Sequence, residues 1–403
     1  MKRRTWEHSK LEGPRAREGV VIARGVDEIE AMRTKWQMFD LPSVHHDIDF
    51  YLAKVRSRPA IVRPHTILLE REGQPEAIAI GRLEENALEC KLGYETVYRP
   101  RVRVLVMRPG ILLRTEAEET ARGIVAEIIG CLERGEADVA SFYGLDVGSH
   151  LFRAARELPA RVCRAPFTVH EEHKTLVLSN SVDEFLASRS RHARGELRGL
   201  GRRLTRKYGE RLSVRIFRAP EEIDRLFADM DRVSATTYQR ALRVAFDDSE
   251  EQRETIALAL DRGWFRAYVL YLDAEPIAYR SGFVYRGRFT GSKTGYDPMY
   301  RKDRVGTYLL VRLIDNLCAD DAVHILDLGY GDTEEKRRFS SSSSDEAHPL
   351  IFAPTFTGVR VNLARTAIAA ADTLGMRTLE QTGLIRPVKR WRQKRVRQDH
   401  GSA

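Results

Sequence analysis

The amino-acid sequence predicts a mixed α/β (α+β) protein of two similar halves in tandem, each a mixed, mostly antiparallel sheet flanked by helices. The chain has 403 residues, which is too long for one ordinary domain and suits two. Hydrophobic residues make up 42% of the chain, the ordinary fraction for a globular protein with a core. The same order of helices and strands can also be traced twice along the sequence, so we expect a duplicated fold.

The second half shows this order most clearly. Three runs rich in β-branched and aromatic residues follow one another: Trp264–Leu272, Pro276–Tyr285 and Arg288–Tyr296. Short polar turns separate them, so they should pair as an antiparallel meander. The next apolar residues recur at the spacing of a helix with one buried face: Leu310, Leu313, Ile314 and Leu317. Val323–Leu328 then predicts a strand that lies parallel to its neighbour after this crossover helix.

The first half repeats the order. Its predicted elements are helices over Val26–Phe39 and Ile48–Val55, strands over Thr66–Glu70, Glu76–Arg82 and Val102–Met107, a helix over Ala117–Arg134 and a strand over Val139–Tyr143. No glycine that could cradle a phosphate stands at the start of its long helix. We therefore expect this half to shape a substrate cleft rather than to bind a nucleotide.

A basic, glycine-containing turn precedes the crossover helix of the second half. We name residues Arg301 to Tyr308 the donor turn. The first N–H groups of a helix have no partner within it and lie at the positive end of its dipole, which favours a bound phosphate. The residues expected to hold that phosphate, by charge or by backbone N–H, are Arg301, Arg304, Val305, Gly306, Thr307 and Tyr308.

The order of three strands, a helix and a strand, with a phosphate-type turn before the helix, resembles the core of the GNAT superfamily of N-acetyltransferases. Arg301 and Gly306 match the first and last positions of that family's diphosphate motif, and Arg304 stands where its first glycine is found. The resemblance implies that acetyl-CoA or a longer acyl-CoA is the donor, with acyl carrier protein as an alternative. It also implies that Arg288–Tyr296 and Val323–Leu328 part to admit the donor's pantetheine arm.

A narrower resemblance extends over most of the chain. Asp327-Leu328-Gly329 and the segment Lys336 to Phe339 resemble the acetyltransferase-like proteins found with cellulose and exopolysaccharide synthesis. Those proteins are similar to the FemAB-type aminoacyl transferases, which place two GNAT-like halves in tandem. Here Glu335 replaces the aromatic residue that precedes the lysine in that family. The resemblance implies that the C-terminal half carries the cofactor motif.

The resemblance also assigns expected roles at the site. Tyr330 is expected to be the acid that protonates the leaving thiolate, with Tyr308 as the second choice. Asp327 or Asp332 is expected to be the base, and Lys336 to bind an anionic group of the acceptor or the oxyanion. Lys293 is expected near the thioester. The expected acceptor contacts are Tyr238, Arg240 and Asp332.

The chain is basic, with 67 Lys and Arg against 58 Asp and Glu and a formal charge of +9, which favours anionic partners. The predicted division is a degenerate GNAT-like domain over residues 18–175, a basic connecting helix over 181–209, a GNAT acyltransferase domain over 210–385 and a basic tail over 386–403. The serine run at residues 340–344 is interpreted as a mobile loop. The arginines of the connecting helix suit either a solvated surface or an anionic substrate.

Several protein classes are disfavoured. The four cysteines are far apart and form no ligand pattern, so we expect buried thiols and no metal site. No run of about 18 apolar residues is present, so we expect no integral membrane segment and a cytoplasmic location.

Three functions stay open at this point. The first is an N-acyltransferase that acylates an amine on a small molecule, a sugar or a peptide. The second is an aminoacyl-tRNA-dependent transferase of the FemAB type, in which the basic helix and tail hold the tRNA. The third is a non-catalytic partner in a biosynthetic pathway that keeps the fold.

Overall fold

The computed structural model describes residues 19–93, 95–236 and 246–381, with side chains described as far as residue 374. Over these residues the chain forms two large mixed sheets, each covered by helices. The predicted fold class is confirmed, because each sheet contains four antiparallel strands that are followed along the chain by a helix and a parallel strand.

The first half is built around a six-stranded sheet. Its elements are β1 (Val20–Ala23), α1 (Val26–Ala31), α2 (Arg33–Trp36), α3 (Ile48–Ser57), β2 (Ile61–Arg71), β3 (Gln74–Ala87), β4 (Cys90–Leu92), β5 (Glu95–Tyr98), β6 (Arg101–Leu113), α4 (Glu118–Glu133), β7 (Val139–Phe142), β8 (Leu145–Asp146) and α5 (His150–Glu157). Helix α4 crosses over between β6 and β7, which pair in parallel. Four consecutive residues of β3, Ala77 to Ile80, are buried because helices cover both faces of this sheet.

The second half is built around an eight-stranded sheet. Its elements are β9 (Val169–Val177), α6 (Val182–Ala187), α7 (Arg191–Tyr208), β10 (Leu212–Phe217), α8 (Ile223–Thr236), α9 (Glu250–Asp261), β11 (Phe265–Leu272), β12 (Glu275–Tyr285), β13 (Arg288–Tyr296), α10 (Val305–Cys318), β14 (Ile325–Tyr330), α11 (Glu334–Phe339), β15 (Ser342–His348), β16 (Leu350–Phe352) and α12 (Phe356–Gln381). Strands β10 to β13 form the predicted antiparallel meander, and β14 lies parallel to β13 after α10.

The two halves exchange strands. Strand β9 pairs antiparallel with β14, and β15 pairs with β9, so segments from both ends of the second half extend its sheet. Strand β8 of the first half pairs with β15 and joins the same sheet. In the other direction, β16 joins the first sheet beside β7. The interpretation of the serine run as a mobile loop is wrong for Ser342 to Ser344, because these residues belong to strand β15. Their side chains are polar because this edge of the sheet faces solvent and a cavity, not the core.

One apolar cluster joins the halves. It combines residues of α2 and α3 with residues of α8, α9, β11 and β12. Phe50 and Phe283 meet edge to face with ring centroids 5.2 Å apart. The hydroxyl of Tyr285 donates a hydrogen bond to Asp47 across the junction at 3.0 Å. Packing of this kind fixes the relative position of the halves, so a site between them has a defined shape.

The sequence predicts one connecting helix, but the structure has two in its place, α6 and α7. The hydroxyl of Ser190 accepts a hydrogen bond from the N–H of Ala193 at 3.2 Å, which starts a new helix at Arg191. Leu197, Leu200 and Leu204 of α7 are buried, as the apolar spacing predicts. Within the described part of the chain, no helix has both the length and the apolar character needed to cross a bilayer.

We predict that strand β9 contributes to the core of the second half. Leu176→Ala should lower the free energy of unfolding by about 2–5 kcal/mol, because Leu176 is 1% exposed and its removal leaves a cavity. Val177→Ala is the matched control: Val177 is 60% exposed, and its loss should change stability by less than about 0.5 kcal/mol. Urea unfolding measures both. Equal effects of the two substitutions would contradict the placement of β9.

Candidate functional site

Strands β13 and β14 part partway along their length. They pair through Arg288 with Ile325, Phe289 with Leu326 and Thr290 with Asp327, and no further pair follows. Strand β13 continues beside β12 as far as Tyr296. We name the space between residues 291–296 of β13 and residues 328–330 of β14 the gap. The parting of strands implied by the GNAT resemblance is therefore present.

A β-bulge causes the parting. Gly282 pairs with Gly291 and Arg280 with Thr294, so two residues of β13 lie opposite the single residue Ser281. The N–H of Lys293 donates to the hydroxyl of Ser281 at 3.3 Å, and this hydroxyl donates to the Lys293 carbonyl at 3.4 Å. A bulge bends the strand that carries the extra residue. Strand β13 therefore turns away from β14.

The donor turn abuts the far end of the gap. A Cβ placed on Gly306 would lie 3.4 Å from Cδ1 of Tyr296, the last residue of β13. Arg304 precedes α10 in the left-handed region, with φ of 57°. The first turn of α10 contains no acidic residue, whereas α4 of the first half begins with Glu118 and Glu119. An anion is therefore favoured at the start of α10 and repelled at the start of α4.

Ion pairs hold the donor turn in place. Arg304 pairs with Glu196 of α7, and Glu196 also pairs with Arg338 at 2.8 Å. Hydrogen bonds from Arg338 and Arg304 lower the pKa of Glu196 to about 2. Arg280 donates to the carbonyl of Gly306 at 3.3 Å and pairs with Glu335 at 2.7 Å. Sequence reasoning found neither Glu196 nor Arg280, whereas it predicted Arg301, which is exposed in the turn.

A cavity of about 710 Å³ lies between the two halves and reaches the start of the gap. Thr290, Gly291, Asp327 and Gly329 line it from the second half. The first half lines it with residues from α3, β3 and β6 and from the turn before α3. Its volume is typical of a site for a small ligand.

Four side chains form a hydrogen-bonded group in this cavity, which we name the His173 cluster. The ring of His173 lies between two carboxylates, with Nε2 2.7 Å from Asp327 and Nδ1 2.9 Å from Glu346. The hydroxyl of Tyr330 donates to the other oxygen of Glu346 at 2.5 Å. Arg288 lies 3.4 Å from Asp327, and the N–H of Gly329 donates to Asp327 at 2.8 Å.

The hydrogen bonds set the protonation states of the cluster. Burial lowers the pKa of His173, yet its bonds to Asp327 and Glu346 outweigh that effect and raise it to about 9. Burial raises the pKa values of Asp327 and Glu346, but the bonds from His173 outweigh it and both pKa values are lowered. Burial and the bond to Glu346 raise the pKa of Tyr330 above its ordinary value. At neutral pH the cluster therefore holds an imidazolium between two carboxylates, beside a protonated tyrosine.

The cavity receives only some of the predicted catalytic residues. Asp327 and Tyr330 belong to the His173 cluster. The Nζ of Lys336 donates to the carbonyl of Tyr330 and does not line the cavity, and burial lowers the pKa of Lys336. Tyr308 is half-buried in the first turn of α10 and packs on the apolar cluster of that helix.

The other predicted site residues lie around these. Lys293 is part of the bulge. Asp332 is exposed, and it pairs with Arg337 at 2.5 Å and with Lys174 at 3.6 Å. Tyr238 and Arg240 lie outside the described residues. The roles assigned to all these residues stay predictions.

Sequence reasoning missed His173 and Glu346. Both come from strands added to the sheet by long-range pairing, β9 and β15. The charged run at residues 170–174 and the serine run before Glu346 show none of the apolar alternation that indicates a strand. No local signal in the sequence marks these two side chains as neighbours of Asp327.

One other group of potential ligands was not predicted. His65, Cys131 and Glu136 of the first half bring their ligand atoms within 4.8 Å of one another. Arg24 and Arg63 already pair with Glu136, at 2.7 and 2.9 Å. Arg63 also lies 2.8 Å from Nδ1 of His65. Two guanidinium groups thus already neutralise Glu136, so the geometry favours a structural role.

We predict a pH-dependent contribution of His173 to stability. Its pKa is raised to about 9 in the folded protein, against about 6.5 in an unfolded chain. The stabilisation is therefore complete below pH 6.5 and is lost as the pH rises through 9. The full shift corresponds to roughly 3 kcal/mol, which solvent screening at this partly exposed ring reduces to about 1–2 kcal/mol. Urea unfolding between pH 6 and 9.5 measures the loss.

The variant His173→Gln should lack that pH-dependent loss. His324→Gln is the matched control, because His324 is exposed and its backbone N–H and carbonyl form hydrogen bonds that the substitution retains. The same pH dependence in the wild type and in His173→Gln would contradict the assignment.

Comparisons with known proteins agree with this geometry. Residues 191–337 match the model of an acetyltransferase (GNAT) domain. A crystal structure of FemX is similar over 80% of this chain and 95% of its own, with 8% identity and a TM-score of 0.52. The C-terminal domain of a proposed lysylphosphatidylglycerol synthetase from Agrobacterium fabrum is similar over 85% of this chain and 97% of its own, with 11% identity and a TM-score of 0.51. No curated protein sequence gives a significant match.

At these identities the two structures support the fold alone, and the domain match supplies the family. The matched range contains the donor turn, the gap and Asp327. Residues 191–337 therefore belong to the acetyltransferase (GNAT) domain family, within a two-halved fold similar to that of FemX.

Proposed function

We propose that this protein is an N-acyltransferase that moves an acyl group from an acyl-CoA or acyl carrier protein thioester to an amine. The observation that carries the proposal is the gap, which has the donor turn at one end and the cavity at the other. From Gly291 to Tyr296 the gap extends over about 16 Å, at roughly 3.3 Å per residue. A diphosphate at the donor turn would thus leave an extended arm lying along β13, with its thioester at the cavity.

The backbone of β13 supports this placement. The carbonyl of Gly287 accepts a hydrogen bond from Ile325 of β14 at 3.1 Å. Backbone groups of alternate residues point to the same edge of a strand, so the N–H of Gly291 points toward β14. A Cβ on Gly291 would lie 3.5 Å from the carbonyl oxygen of Asp327, so the two strands are still in contact at this position. In the parallel register of Thr290 with Asp327 this N–H completes the ladder by donating to the carbonyl of Asp327, so the unpaired edge of β13 that an extended arm could follow begins after Gly291.

The His173 cluster supports the proton transfers. The neutral amine attacks the carbonyl, the C–N bond forms, the C–S bond breaks, and the thiolate leaves. Tyr330 gives its proton to the thiolate and is reprotonated by the imidazolium of His173 through Glu346. The proton that the amine loses passes to His173 on the side of Asp327. The cluster gives one proton to the thiolate and takes one proton from the amine, so it returns to its starting state.

We predict that Gly306→Glu abolishes donor binding without unfolding the protein. A carboxylate in the first turn of α10 interacts favourably with the helix dipole but repels a diphosphate. In the wild type, CoA at 100 times its dissociation constant should stabilise the fold by about 2.7 kcal/mol, and in the variant this gain should vanish. Thermal unfolding with and without CoA, together with the release of free thiol from acetyl-CoA, measures the effect.

Gly306→Gln is the matched control, since its side chain has nearly the same size and no charge. It should weaken CoA binding less than Gly306→Glu does. If CoA and its thioesters stabilise neither the wild type nor Gly306→Gln, the thioester donor is wrong.

One observation favours an aminoacyl-tRNA donor as a second candidate. Arg202, Arg203 and Arg206 of α7 are exposed, as are Arg301 and Lys302 of the donor turn. None of the five forms an ion pair with another residue in the described part of the chain. They form a cationic surface beside the start of α10, because Lys207 and Tyr208 of α7 both bond to Asp303, which lies next to Lys302.

The tRNA candidate makes a distinct prediction. Binding of charged tRNA should weaken steeply between 50 and 200 mM salt, because phosphate contacts release counterions. Arg202→Ala combined with Arg206→Ala should reduce that salt dependence, and Arg99→Ala, an exposed site on the loop after β5, should not. Absence of tRNA binding at 50 mM salt would exclude this donor.

A further inference from the structure

The cavity wall contributed by the first half is cationic. Lys54 of α3, Arg82 of β3 and Arg108 of β6 all line the cavity. Arg82 is 5% exposed, and its guanidinium donates to Glu84 at 2.6 Å and to the carbonyl of Arg108 at 2.8 Å. The guanidinium of Arg108 lies 4.1 Å from the ring centroid of Tyr143, over its face. This wall therefore presents side chains suited to an anionic ligand.

The positive charges on this wall exceed the negative ones. Glu84 is shared between Arg82 and Arg58, the latter at 3.6 Å. Glu251 is shared between Lys54 and Arg58, each at 3.8 Å. Arg108 forms no ion pair with any residue that the structure describes. Three cations thus share two carboxylates and Arg108 has none, which leaves an excess of two positive charges.

This excess of positive charge lowers the pKa values of neighbouring basic side chains. Burial, and then the charges of Arg82, Arg108 and Arg58, lower the pKa of Lys54 to about 8, against the opposing effect of Glu251. Burial lowers the pKa of His45 well below its ordinary value, and Lys54, Arg108, His46 and Arg82 act in the same direction. An anion bound here would relieve this repulsion and keep Lys54 charged.

The opposite wall carries no such excess of positive charge. Asp327 and Glu346 of the His173 cluster lie there, next to the gap where the thioester carbonyl is expected. The imidazolium of His173 and the guanidinium of Arg288 offset these two carboxylates, so the cluster has no net charge and can accept hydrogen bonds from the N–H groups of a neutral amine. Two further acids of the lining, Glu116 and Asp146, are exposed, so solvent screens them. The excess positive charge of the cavity therefore lies on the wall from the first half.

We infer that the acceptor is an amine that also carries an anionic group, a carboxylate or a phosphate. Lys54 and Arg108 bind the anionic group, while the amine lies at the His173 cluster, which accepts its proton. This inference rests on the proposed function for the direction in which the amine points. The flat guanidinium of Arg108 suits either anion, because both present two oxygens to it. A cavity of about 710 Å³ admits a small molecule or one end of a larger one.

The test compares amines that differ only in the anionic group. Binding of ω-aminoalkyl carboxylates and aminoalkyl phosphates of two to six carbons is measured by calorimetry against alkylamines of the same lengths. The anionic amines should bind at least about tenfold more tightly, since a charge-assisted hydrogen bond contributes about 1.5 kcal/mol or more. The carboxylate and phosphate arms identify which anion the site prefers.

Variants assign the contact. Lys54→Met and Arg108→Met should each weaken binding of the anionic amines by about tenfold and leave the alkylamines unchanged. Arg108→Lys should recover part of the loss. Lys91→Met is the matched control, because Lys91 lies on the exposed β4 strand away from the cavity. Equal binding of anionic and neutral amines, or full affinity in both Met variants, would overturn the inference.

Release of free thiol from acetyl-CoA and longer thioesters separates this inference from the proposed function. If the anionic amines bind as expected but no thioester is cleaved, the inference stands and the thioester-dependent function fails. If thiol is released fastest with the neutral alkylamines, the function stands and the inference fails.

Discussion

The bulge in β13 is the feature on which the site depends. With two residues opposite Ser281, β13 bends away from β14 and opens the gap. The first half contains a larger version of the same device: three residues of β6, Met107 to Pro109, lie opposite the single residue Gly81 of β3. A Cβ on Gly81 would lie 2.7 Å from Sδ of Met107, so only glycine fits there. Both bulges border the cavity, and the bulge in β6 places Arg108 in the cavity wall.

The two halves use this common device differently. Acidic residues open α4, whereas α10 opens with Val305 and Gly306 beside basic residues, so only the second half favours an anionic donor at its helix start. The first half instead supplies the cationic wall that we assign to the acceptor. Long-range strand pairing within the second half completes the arrangement, since β9 and β15 bring His173 and Glu346 to Asp327. A single copy of the second half would keep the proton path but would lack the cationic wall.

Local signals in the sequence predicted the parts of this arrangement that local structure determines. The meander, the crossover helix and the donor turn follow from periodicity and turn residues, and Asp327 and Tyr330 lie at a strand end that an apolar run indicates. His173, Glu346 and Lys54 could not be found this way, because they meet only after pairing or packing between segments far apart in sequence. The connecting segment was predicted as one helix because its apolar spacing continues through Ser190, whose hydroxyl caps a second helix.

Amide hydrogen exchange with and without CoA tests the central claim most directly. If the donor's diphosphate binds at the donor turn and its arm lies along β13, exchange should slow at the amides of Val305 to Thr307 and of residues 292–296 of β13. The amides of β11, which lies on the far side of β12 from the gap, should be unaffected. Slowed exchange confined to α7, or none along residues 292–296 at CoA concentrations that stabilise the protein, would contradict the account.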